Sequence, residues 1–117
     1  MAKLSRIAPE FPVADLAHSL TYYQQQLGFE IALAIGSDYA IVERDGIAIH
    51  LFQQDSAPST PVAIHIFADD LEGLHMELLG RGAYVLQGIE RKPWGNRDFR
   101  VRDESGNQIK FTEPLAA

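Results

Sequence analysis

The chain has no cysteine. That excludes a disulfide framework, a thiolate nucleophile and any cysteine-ligated metal, and it makes a cytoplasmic location the expectation. Basic residues are in deficit: ten Lys and Arg against sixteen Asp and Glu give a formal charge of −6. Nucleic acid is bound through basic patches, so it is not an expected partner, whereas a cationic small molecule is electrostatically welcome. No apolar run approaches the roughly 20 residues of a spanning helix, and the opening Met1-Ala-Lys-Leu-Ser-Arg6 lacks the apolar stretch of a signal peptide, so no membrane is expected either. Catalytic signatures are missing too. There is no Gly-x-Ser-x-Gly, and Gly28, Gly80, Gly82 and Gly106 fall at helix stops and turns, with no phosphate-cradling loop among them.

What remains is 117 residues, 46% hydrophobic, enough for one domain with a core of its own. Within it one pattern occurs twice: a short apolar strand, Ala-Asp-Leu or Asp-Asp-Leu opening a helix, a glycine at the helix end, and a closing hairpin. The first copy runs from Phe11 through Ala14-Asp15-Leu16 and Leu27-Gly28-Phe29 to a hairpin at Tyr39–Phe52. The second runs from His65 through Asp69-Asp70-Leu71 and Leu79-Gly80 to a hairpin at Phe99–Phe111. An internal repeat of this kind sets the architecture before local propensities do. The single domain, residues 1–117, therefore divides into modules 1–53 and 61–117, joined by the polar, proline-bearing stretch Gln53–Pro61.

Each module reads as strand, helix, then three strands. Residues Ser5 to Val13 alternate like a half-buried strand, with Pro9 and Pro12 marking an edge or an irregular pairing. Asp15 is placed to cap a helix carrying Leu16, Leu20, Tyr23 and Leu27, which Gly28 ends. Asp45-Gly46 is a strong hairpin turn between strands at Asp38–Arg44 and Ile47–Phe52. In the second module the strands are expected at Val62–Phe67, Tyr84–Ile89, Phe99–Arg102 and Gln108–Thr112, with the helix marked by Leu71, Leu74, Leu78 and Leu79. The predicted fold is α+β: two βαβββ modules forming curved mixed sheets around a cleft, with the helices outside.

Strand parity then nominates the residues that face the cleft. If Ile47, Ile49 and Leu51 cover the helix, Ala48, His50 and Phe52 face the cleft. The same reasoning places Ala63, His65 and Phe67 there, with Gln108, Lys110 and Thr112, and it adds Ala40 and Val42 from one hairpin and Arg100 and Arg102 from the other.

The motif Asp-Leu-x-x-Ser-Leu-x-Tyr-Tyr-x-x-x-Leu-Gly-Phe and the closing Arg-Asp-x-x-Gly-Asn-x-Ile-x-Phe, set in paired βαβββ modules, resemble the glyoxalase, bleomycin-resistance and extradiol-dioxygenase (vicinal oxygen chelate) superfamily over essentially the whole chain. Pro93-Trp94-Gly95-Asn96-Arg97-Asp98-Phe99 is similar to the segment ahead of the seventh strand in bleomycin-resistance proteins, where the Trp contributes to the drug pocket. The resemblance implies metal ligands in the enzymes of the superfamily at four points on strands one, four, five and eight. Carried over by motif, those points are Ala8, His50, Ala63 and Lys110. Alanine cannot coordinate and a lysine ammonium has no lone pair, so the family-type metal centre lacks most of its ligands. Glu10 and His65, two residues beyond the alanines, would with His50 make an alternative, shifted set for a divalent metal.

The expectation is therefore a homodimeric, cytoplasmic, cofactor-free binding protein similar to bleomycin-resistance proteins. It would sequester a glycopeptide-type or other planar small molecule with no catalytic residue. Candidate ligand contacts are Trp94, His50, His65, Phe52, Tyr39, Asn96, Arg97 and Arg100. The alternative is a metal-dependent glyoxalase-like lyase, isomerase or dioxygenase using Glu10, His50 and His65.

Overall fold

A computed structural model describes residues 1–54 and 60–114; most of the inter-module stretch, residues 55–59, lies outside the described residues. Module one contains β1 (Glu10–Val13), α1 (Leu16–Gln25), β2 (Glu30–Ile35), β3 (Tyr39–Arg44) and β4 (Ile47–Gln53). Module two contains β5 (Ala63–Phe67), α2 (Leu71–Gly80), β6 (Tyr84–Arg91), β7 (Arg97–Arg102) and β8 (Gln108–Thr112). The strands form two four-stranded sheets ordered β1-β4-β3-β2 and β5-β8-β7-β6, each with one parallel pair at the crossover and antiparallel hairpins beyond it. No helix among the described residues is long and apolar enough to cross a membrane.

The helices start where the sequence says they should. Asp15 accepts from His18 N and Asp70 from Gly73 N, each filling a donor left open by the first helical turn. α1 ends at Gln25, with Gln26 as cap, and the chain reverses at Gly28, whose φ of +75° suits a residue without Cβ. The first strand is shorter than its alternation suggested. It begins at Glu10, because the ladder with β4 starts at Glu10↔His50, with His50 N donating to Pro9 O at 3.0 Å at its edge. Leu4 and Ile7 consequently stand exposed.

Each helix covers one face of its sheet. Ala40, Val42, Ile49 and Leu51 are fully buried in sheet one, and Phe99, Val101, Ile109 and Phe111 are buried in sheet two. Ala40 and Val42 are thus corrected: they belong to the covered face. The two-residue turn pairs Val42 with Ile49 and Ala40 with Leu51, and directly opposed residues of antiparallel strands share a face. Ile41, opposite His50, and Tyr39, opposite Phe52, take the open face instead. Ile47, beside the Asp45-Gly46 turn at the hairpin tip, is 43% exposed and is not part of the buried core as expected. A register shift between Ile31 and Leu33 brings Leu33 and Ile35 beside Ile41 and Tyr39 on that same open face.

The modules join reciprocally, the hairpin tip of one docking on the helix of the other. From α1, Tyr22 Oη donates to Arg102 O at 2.6 Å and Tyr23 Oη to Asp103 Oδ2 at 2.9 Å, while Ser19 Oγ meets Glu104. From α2, Glu77 receives Arg44 of the first hairpin. Asn107 Nδ2 completes the joint by donating to Pro12 O at 2.8 Å. Burial pushes the Tyr22 hydroxyl up to about 12, and burial followed by the Asp103 carboxylate raises that of Tyr23 well above the ordinary tyrosine range. Both tyrosines are therefore neutral hydrogen-bond donors that fix the angle between modules.

Candidate functional site

The uncovered faces of the two sheets hold most of the residues nominated from sequence, and each face has its own centre. On sheet one, Tyr39 Oη lies 3.1 Å from Glu10 Oε2 and 2.5 Å from His50 Nδ1, with the Tyr39 and His50 rings edge to face at 5.6 Å. A carboxylate only accepts, so the arrangement that satisfies both contacts has Tyr39 donating to Glu10 and His50 Nδ1–H donating to Tyr39 Oη. His50 Nε2 is then left as an acceptor. Partial burial and the hydrogen bond to Glu10 raise the Tyr39 pKa, keeping it the protonated link of the chain. Phe52 lies directly across from Tyr39. Leu33 and Ile35, 45% and 58% exposed, extend the surface as an apolar strip that the sequence did not reveal.

Sheet two is polar by contrast. His65 is level with Lys110, and Lys110 is opposite Arg100, so three nitrogenous side chains sit abreast. His65 Nδ1 is 2.8 Å from Thr112 Oγ1, whose proton goes to Lys110 O at 3.1 Å, and its ring stacks on Phe67. Thr112 can therefore only accept from His65, which again leaves Nε2 as the open nitrogen. Asp98, on the same face, is held by Gln87 at 2.8 Å and Lys92 at 3.6 Å. Arg102 covers the Tyr84 ring at 4.5 Å.

Three nominated residues lie outside these centres. Trp94 occupies the β6–β7 turn with its side chain 65% exposed, next to Gly95 at a φ of +108°. Asn96, in the same turn, accepts from Lys92 N through its backbone, and its Oδ1 is buried without a partner among the described residues. Arg97 shares the strand parity of Phe99 and turns to the helix side, where Glu72 and Glu113 hold it at 2.7 Å and 2.6 Å. A groove of ≈ 750 Å³ lies elsewhere again, between the first hairpin and the start of α2, lined by Arg44, Ile47, Ile66, Asp70 and Leu74 among others. Phe67 is its link to the open faces.

The fit of a metal can be judged from the donors themselves. Glu10 and His50 are neighbours on sheet one while His65 belongs to sheet two, and among the described residues no three His, Asp or Glu side chains gather into a ligand set. Alanine at positions 8 and 63 and the Lys110 ammonium add nothing. The shifted set is therefore not assembled within one chain.

A family model for the Glyoxalase/Bleomycin resistance protein/Dioxygenase superfamily matches residues 3–111. The chain belongs to this superfamily. Its fold is similar to TioX from Micromonospora sp. ML1, with a TM-score of 0.80 at 24% identity, covering 95% of this chain and 99% of that one. It is similar to the bleomycin resistance determinant encoded on transposon Tn5, with a TM-score of 0.86 at 16% identity over 97% of this chain and 100% of that one. A bleomycin-binding protein complexed with bleomycin gives 0.83 at 16% identity, covering 95% and 99%. At these identities the likeness establishes the superfamily fold and leaves function to the site. Within that fold the two modules of this member are related residue by residue, since Glu10 pairs laterally with His50 where His65 pairs with Lys110.

Proposed function

We propose that this superfamily member is a non-catalytic binding protein that sequesters a planar small molecule between its uncovered sheet faces, in a cleft completed by a second copy of the chain. The carrying observation is the apolar and aromatic surface left open on those faces and their rim: Leu33, Ile35, Phe67 and Trp94 are 45%, 58%, 63% and 65% exposed. Surface of this kind marks a ligand or partner site. A flat ring stacks on Tyr39, Phe52 and Trp94, and the outward Nε2 atoms of His50 and His65 accept from its polar edge. Resistance to a bleomycin-type glycopeptide by sequestration is the form of this function that the structural neighbours suggest.

The test is fluorescence titration with bleomycin, because Trp94 is the single Trp and reports without ambiguity. Saturable quenching at micromolar ligand, with the bleomycin recovered unaltered by mass spectrometry, is the expected result. A chemically altered ligand would overturn sequestration in favour of catalysis. Bleomycin that leaves the emission unchanged would overturn the glycopeptide assignment. Sedimentation of the free protein as a monomer at micromolar concentration would remove the shared cleft.

A further inference from the structure

On the open face of sheet two, Arg100 and Lys110 carry positive charge that no ion pair among the described residues balances. Arg100 stands opposite Lys110 across the β7–β8 ladder, an arrangement that destabilises a sheet when both residues carry the same charge. Four other cations are neutralised, Arg44 and Arg81 by Glu77, Lys92 by Glu90 and Asp98, and Arg97 by Glu72 and Glu113, while Arg91 and Arg102, outside any ion pair among the described residues, donate to the carbonyls of Gly95 and Asp103. The acid two places along β7, Asp98, is already committed to Gln87 and Lys92. Moreover, Arg100 Nε is buried with no hydrogen-bond partner among the described residues. A buried guanidinium donor normally finds an acceptor, and in a chain of charge −6 carboxylates are plentiful. An orphaned donor beside an uncompensated cation pair is what a site looks like when its absent component is an oxyanion.

We propose that Arg100 and Lys110 form a subsite for an oxyanion group, a carboxylate, sulfonate or phosphate, on the ligand whose planar part lies against sheet one. This rests on the sequestration reading and narrows it. The ligand is amphipathic, with an apolar ring system toward Leu33, Ile35, Tyr39 and Phe52 and a negative group toward sheet two. The local field, not the net charge of the chain, sets that preference.

Two dyes with the same rings separate the terms: anilinonaphthalenesulfonate, which carries an anion, and neutral phenylnaphthylamine. The wild-type protein is expected to bind the sulfonate roughly 10- to 100-fold tighter, the range one charge-assisted hydrogen bond supplies. An Arg100→Gln/Lys110→Gln variant, checked for folding by circular dichroism, is expected to bind the two dyes alike. Lys110→Gln alone provides a milder second variant. Equal affinity of the wild type for both dyes, or a sulfonate preference that survives in the variants, overturns the oxyanion subsite and leaves sequestration standing. If neither dye binds, the deciding measurement is the Arg100 Nε–H resonance under titration with inorganic phosphate. A saturable shift not reproduced by sodium chloride of equal ionic strength retains the subsite and removes planar-ligand sequestration. An unmoved resonance removes both.

Discussion

Arg44 and Glu77 face each other across the joint between the modules as a two-point pair, Nη1 to Oε2 at 3.0 Å and Nη2 to Oε1 at 2.7 Å. The same Nη1 also donates to Leu27 O at 2.8 Å, so one side chain ties the first hairpin to both helix ends. The pair is 25% and 35% exposed, and water screens part of its attraction. Glu77→Gln is therefore expected to cost about 1 kcal/mol in urea denaturation, with most of that loss absent in an Arg44→Met background. Equal cost in both backgrounds would show that the pair contributes nothing of its own.

The pH dependence follows from the same carboxylates. The hydrogen bond from Arg44 lowers the Glu77 pKa, and those from Arg97 lower the pKa values of Glu72 and Glu113. Each folded value lies below the ordinary 4.5, so their contribution is complete above about that pH and is lost as pH falls through the depressed values. Stability should thus decline in acid below about pH 4.5, and in Glu77→Gln it should decline less steeply; a steeper fall in the variant would contradict the assignment.

Asp103 is the acceptor on which the other joint depends. Oδ1 takes Ser105 N and Asn107 N, both at 2.9 Å, and Oδ2 takes Tyr23 Oη at 2.9 Å and Asn107 Nδ2 at 3.0 Å. In Asp103→Asn an amide NH₂ would face donors, with an expected loss of roughly 1–3 kcal/mol by thermal or chemical unfolding. Burial raises the Asp103 pKa against the opposing hydrogen bonds of Asn107, Tyr23 and Ser105. Because the folded value is the higher one, this group favours folding most below the unfolded value of 3.8 and progressively less as pH rises through the folded one. The stability gap between wild type and Asp103→Asn should narrow with rising pH, and a widening gap would show that the carboxylate is not desolvated.

Gly28 and Gly36 both have positive φ, +75° and +54°, but only at Gly28 would a Cβ meet a neighbour, Arg44 Nη1 at 2.7 Å. Gly36→Ala should cost only the left-handed backbone term, about 1–2 kcal/mol. Gly28→Ala should cost more, and most of the excess should vanish when Arg44 is shortened to Ala, leaving the looser approach of Glu77 Oε2 at 3.2 Å. Parallel unfolding curves for the two glycine variants would refute the close approach.

Lys110→Gln relieves the like-charge contact with Arg100 and should stabilise the fold by about 0.2–1 kcal/mol in thermal unfolding at low salt, an effect that added salt erodes. Destabilisation by that substitution would mean that Lys110 is structurally paired.

Much of this was legible in the chain. The repeat, the caps Asp15 and Asp70, and the turn glycines are local signals, dictated by a few neighbouring residues and the backbone geometry they favour. The outward placement of His50, His65, Lys110 and Arg100 follows from parity alone once the strands are located. Two misplacements share a cause. Ala40 and Val42 were put on the open face because parity within one strand says nothing about which residue of its partner stands opposite, and the turn length decides that. Leu33 and Ile35 went unnoticed as open-face residues because the bulge between Ile31 and Leu33 has no sequence signature.

The sequence by itself determined the two βαβββ modules and their common register, in which Ala8 answers Ala63 and His50 answers Lys110, since these depend on residue identity and short-range geometry. Only the tertiary structure decided that Arg97 is consumed by Glu72 and Glu113 while Arg100 has no ion-pair partner among the described residues. Two arginines three residues apart on one strand point to opposite sides of a sheet. Whether a charge is neutralised depends on what the chain brings to that side from far away, here α2 for Arg97 and, among the described residues, no carboxylate for Arg100.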